Sequence, residues 1–79
     1  MEDPLYQALY RFYTDTIRRN LGLRGHTLQM RVELARSSVE LLALREAWLA
    51  ALWQARGNDV ARALRHELEM LLRRSRQPA

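Results

Sequence analysis

The sequence contains no cysteine, so no disulfide or thiolate metal site supports the fold, and thiol chemistry is excluded. Lysine is absent as well: thirteen basic residues, all arginine, face nine acids for a formal charge of +4. There are only three glycines and two prolines, which leaves long tracts without a helix breaker. The longest apolar run, Ala47–Trp53, is about a third of the roughly 20 residues a membrane span needs, so no transmembrane segment is expected. His26 and His66 stand far apart without metal-ligand spacing, so neither a metal nor another cofactor is expected. Glu2 and Asp3 contrast with the basic opening of secretory signals, and no cleavable address is expected. The missing cysteines fit a reducing compartment.

What is present is a single short helical chain. At 79 residues it holds one domain, which buries only roughly 60 to 65% of its unfolded surface. Without staples, such a fold depends on well-packed helices or on a partner. The arginine bias need not be functional, because a GC-rich genome gives the same bias through codon usage. It also suits bidentate pairing with carboxylates or phosphates.

Asp3-Pro4 is a helix start: the carboxylate caps free N–H groups and proline is preset for the first helical position. The first helix is expected from Pro4 to about Leu21. Gly22 and Gly25 then bracket a reversal, with Thr27 as the next cap. From Leu28 to Arg56 leucine, alanine, glutamate and arginine dominate, which predicts one long second helix. Gly57 ends it, Asn58-Asp59 opens a third helix over 59–74, and 75–79 should fray. The expected fold is all-α, a three-helix bundle with a long central helix.

The outer helices are ordinary amphipathic ones. At roughly 100° per residue, Leu5, Leu9, Phe12, Tyr13 and Ile17 share one arc of the first, with Arg11 and Arg18 opposite. In the third, Val60, Leu64, Leu68 and Leu71 gather in the same way. The second helix has more apolar circumference: Met30, Leu34, Leu41, Trp48 and Leu52 cover one broad side, and Val32, Val39 and Ala50 extend it. Trp48 and Trp53 project roughly 140° apart, so they cannot both face one neighbour. Either the outer helices cover both sides, or one tryptophan lies on a partner-binding patch.

No catalytic constellation emerges, and the chain is expected not to be an enzyme. Ser37 and Ser38 lie far in sequence from either histidine, and Glu33 and Glu40 sit on a polar strip where Arg36 invites a solvated ion pair with Glu40. Gly22-Leu23-Arg24-Gly25 lacks the strand and lysine of a phosphate loop. Arginines interleaved with acids, as in Arg65-Glu69-Arg73, make a charge ladder, which argues against nucleic-acid binding.

Leu9-Tyr10-Arg11 followed by Ile17-Arg18-Arg19 resembles the signature of the LYR-motif family. Met30-Arg31-Val32-Glu33-Leu34 is similar to the family's basic second-helix segment, with Leu34 where phenylalanine is usual. The closing Leu68–Arg74 is also similar. The resemblance implies a small three-helix mitochondrial protein, a subunit or assembly factor of a multi-subunit respiratory complex. It also implies docking to acyl carrier protein, with Leu9, Tyr10, Arg11, Arg18, Arg19, Arg31 and Leu34 at the contact. Trp48 and Trp53 join that set as candidate partner-binding residues on the broad apolar helix. A second stretch, from Ala47 through Gly57-Asn58-Asp59 to Leu68, looks like the last two helices of the ligand-binding domain in FadR-like bacterial regulators. It implies a regulatory role, and the competing expectation is a cytoplasmic bacterial helical module, regulatory or secretion-type, that forms a homodimer through the second helix.

Overall fold

The computed structural model describes residues 3–76. It is an all-α bundle of α1 (Pro4–Asn20), a 3-10 turn (Gly22–Gly25), α2 (His26–Leu34), α3 (Ser38–Leu42), α4 (Arg45–Arg56) and α5 (Asn58–Arg76). The start of α1 is as the sequence dictates: the Leu5 N–H donates to Asp3 Oδ1 at 3.0 Å, and Pro4 follows the cap. Gly22, at φ +55°, turns the chain out of α1. Gly25 is needed for a different reason, because a Cβ there would lie 2.5 Å from Ile17 Cγ2. Its bare backbone lets the start of α2 lie directly on α1. Gly25, not Thr27, precedes α2, and Thr27 is an exposed residue of its first turn.

The single helix expected over 28–56 is instead three segments. Ala35 is extended at ψ 135°, and its freed carbonyl accepts the Tyr6 hydroxyl at 2.8 Å. Ser37 then restarts the helix, its Oγ accepting the Glu40 N–H at 3.2 Å and donating to Glu40 Oε2 at 3.4 Å. The first bond is the N-cap half of a capping box; in the second the glutamate takes the serine hydroxyl rather than the backbone N–H of Ser37. That contact also takes Glu40 away from the ion pair expected with Arg36, which makes none among the described residues. The second interruption is slight: Ala43 and Leu44 keep right-handed helical angles, and Leu44 N–H tightens onto the Leu41 carbonyl at 3.0 Å.

Gly57, at φ +87°, reverses the chain between α4 and α5 in one residue. Its carbonyl accepts the Ala61 N–H at 3.2 Å, so the glycine opens α5 and Asn58 is already helical. Ser75 and Arg76 belong to α5, longer than expected, and the rest of the anticipated frayed tail, 77–79, lies outside the described residues.

The core is built from Leu9, Tyr13 and Ile17 of α1, Leu28 and Val32 of α2, Leu41, Leu44, Trp48 and Leu52 from the middle of the chain, and Ala61 and Leu68 of α5. At its centre Trp48 is 0% exposed, with the Phe12 and Tyr13 rings each 5.4 Å away. Its indole N–H donates to Thr16 Oγ1 at 3.0 Å, and that hydroxyl donates to the Tyr13 carbonyl at 3.1 Å. This explains why threonine is tolerated in the core.

Tyr13 has no such partner. Its hydroxyl is buried and unpaired among the described residues, and burial pushes its pKa up to about 12 despite the opposing pull of Arg45. Tyr13→Phe is therefore expected to stabilise the chain by roughly 1 kcal/mol in a urea titration near neutral pH. It should also alter the alkaline limb. The folded-state pKa lies above the ordinary 10.0, so the unfolded chain loses that proton first. Wild-type stability then falls from pH 10 to about 12, by roughly 1.4 kcal/mol per pH unit attributable to this group, and the phenylalanine variant lacks that increment.

Candidate functional site

Two helices joined by one glycine leave a groove along their outer seam. Glu46, Leu49, Ala50 and Trp53 of α4 line one wall, and Asn58, Ala61, Arg62 and Arg65 of α5 line the other, around about 550 Å³. Both sets follow the same rule. Positions 46, 49, 50, 53 and 58, 61, 62, 65 step by three, one and three residues, so each is a two-turn stripe on one helix face. At 1.5 Å per residue the stripes run about 10 Å.

The floor is apolar and the rim is charged. Trp53 remains 59% exposed at the floor, beside Leu49, Ala50 and the buried Ala61. Arg65 reaches Glu69 at 3.9 Å, while Arg62 and Glu46 make no ion pair among the described residues. Glu69 is held more closely by Arg45, at 3.1 Å, which ties α4 to α5. Two guanidinium groups against one carboxylate give the rim a positive excess.

The sequence-predicted contact residues do not form one surface. Leu9 and Trp48 are fully enclosed core residues and offer nothing to a partner, because the arcs that carry them are the inner faces of α1 and α4. Tyr10 is half-buried, its ring 6.2 Å from that of Tyr6, and both line a shallow depression with Gln7 and Arg11. Arg11 and Arg18 point to solvent seven positions apart, hence on one side of α1, without an ion-pair partner among the described residues. Arg19 is engaged by Asp15 at 3.2 Å. Arg31 and Leu34 lie on the outer side of α2, with Leu34 73% exposed. Of the two tryptophans, only Trp53 is accessible.

The α5 wall of the groove was missed from sequence. Its signal is the pairing of the 58, 61, 62, 65 stripe with that of Trp53 across the Gly57 reversal, and the helix boundaries at Gly57 do not by themselves say which faces of the two helices meet. No helix among the described residues is long and apolar enough to cross a membrane, and no group of three acidic or histidine side chains among them is placed to hold a metal. No protein-family model, curated protein or solved structure matches the chain.

Proposed function

We propose that this chain is a non-enzymatic adaptor or accessory subunit that binds another protein through the α4–α5 groove. The observation that carries this reading is Trp53: a large aromatic side chain left mostly exposed on an apolar floor, in a bundle that buries its other tryptophan completely. The shape and charge of the groove favour one kind of occupant. Walls two helical turns long fit an amphipathic helix with apolar anchors at i, i+3 or i+4, and i+7, and the rim of Arg62 and Arg65 favours acidic residues beside those anchors. The test is a titration of the partner recovered with the native complex against wild type and Trp53→Glu, after circular dichroism has established equal helicity. Affinity should fall by about thirtyfold or more, as for an interface hot spot. Equal affinity would place the docking surface elsewhere.

A second reading draws on α1. Arg11 and Arg18 form a basic face whose spacing suits an acidic carrier protein, in line with the resemblance of Leu9-Tyr10-Arg11 to the LYR-motif signature. Under this reading the chain is a LYR-like assembly factor or respiratory-complex subunit in mitochondria, and Arg11 supplies the contact while Leu9 holds the helix in place. Arg11→Glu is expected to weaken binding of acylated carrier protein at least about tenfold with helicity unchanged, because it reverses a charge at a rim position. An unaltered affinity leaves the groove reading standing alone.

A further inference from the structure

Six large apolar side chains stand exposed among the described residues, and five of them, Leu23, Met30, Leu34, Val39 and Trp53, fall within the stretch 23–56. Their positions follow two registers. Leu23, Met30, Leu34, Leu41, Leu44 and Trp48 lie on one heptad stripe of the kind that seams coiled coils. Leu28, Val32, Ala35, Val39 and Trp53 lie on a second, roughly 150° further round a continuous helix. Burial switches stripes at the break. Before residue 36 the second stripe is inside and the first is outside; after it Leu41, Leu44 and Trp48 are inside while Val39 and Trp53 are outside. Each stripe is therefore half covered.

Nothing in Ala35-Arg36-Ser37 forbids a helix, since it holds neither proline nor glycine. The interruption is held by the Tyr6 hydroxyl on the Ala35 carbonyl and by the Ser37–Glu40 cap. We infer that a second copy of this chain covers the apolar residues flanking the break, Met30, Leu34 and Val39, by exchange. Residues 35–37 close into helix, α2 joins α3 and α4, and the α1–α2 unit of each copy packs on α3–α5 of the other. Exchange rebuilds every contact between the two units, including the Trp48 indole on the Thr16 hydroxyl, now between chains. It also returns the Ala35 carbonyl to a helical N–H, in place of the Tyr6 hydroxyl that now satisfies it. Length supports a partner of this kind: a straight helix over 26–56 spans about 46 Å. One copy measures only 36 Å along its longest axis, so the straight helix overhangs its own bundle. Trp53 lies about 24 Å along the helix from the break, so the exchange does not depend on what the α4–α5 groove binds.

The absence of native cysteine makes the test direct. Light scattering on size-exclusion fractions should show a wild-type dimer that grows with concentration. Tyr6→Phe combined with Ser37→Ala removes both bonds that hold the break, and should tighten the dimer by about tenfold or more. Arg36→Pro should abolish it, because proline stops a continuous helix while Ala35 already has the extended conformation preferred before proline. Ala8 and Leu71 line the same depression between α1 and α5, so a chain carrying Ala8→Cys mixed with one carrying Leu71→Cys should be joined between chains, in the dimer fraction, by a bifunctional thiol crosslinker that spans the depression. The inference is overturned by monomers at every concentration in both wild type and the Tyr6→Phe/Ser37→Ala chain. A dimer that survives Arg36→Pro, or one whose mixed cysteines stay unlinked, overturns it equally.

Discussion

Trp48→Ala is expected to leave the chain largely unfolded at room temperature. The indole is 0% exposed, packs against the Phe12 and Tyr13 rings, and supplies the donor that Thr16 Oγ1 accepts inside the core. Removing a side chain of that size from a packed interior costs about 3 to 5 kcal/mol, because the lost transfer energy is joined by a cavity the neighbours fill only in part. The whole stability of a domain of this length is on the order of 4 to 12 kcal/mol. A single truncation therefore consumes much or all of it. Trp53→Ala is the control, since the same change on a half-open groove floor should stay within about 1 kcal/mol. Urea titrations followed by circular dichroism separate the two, and a Trp48→Ala chain that melts like wild type would mean that the indole is not where the helices converge.

Much of this arrangement is legible in the residues. Asp3-Pro4, Gly22 and Gly57 each mark an element boundary for a local chemical reason, and the structure uses all three. The angle between the two tryptophans was also readable, but whether neighbouring helices cover both stays open in the sequence; the structure buries Trp48 and leaves Trp53 exposed. The break at 35–37 was not read, because propensity over 28–56 is uniformly helical and its interruption depends on a contact 29 residues distant, Tyr6 to Ala35. Ser37-x-x-Glu40 is a capping-box signature in plain view, but inside an apolar run it competes with an equally good helix interior. The consequence of the break extends to the candidate site. Met30 and Leu34 were placed on the same side as Trp48, as they would be in an unbroken helix, whereas the break turns them to solvent.

The break thus decides both the core and the surface. α2 can lie on α1 only if its backbone approaches closely, and the position that permits this is Gly25. Gly25→Ala is accordingly expected to cost about 1 to 3 kcal/mol, the usual range for an extra methyl forced into a filled interior. The clash is specific: the new Cβ would meet Ile17 Cγ2 at 2.5 Å and Leu21 Cβ at 3.0 Å. Ile17→Leu deletes the offending branch methyl, so the double variant should recover a good part of the loss, a coupling that neighbouring residues show and distant ones do not. Gly22→Ala provides the contrast. Nothing lies within 4 Å of its Cβ position, so its cost, about 1 kcal/mol, comes from the backbone at φ +55° alone. Ile17→Leu should not relieve it, while Gly22→Asn, which tolerates that conformation, should. If Ile17→Leu rescued both glycine variants equally, or neither, close approach at Gly25 would not be what seats α2, and the position of the break would need another cause.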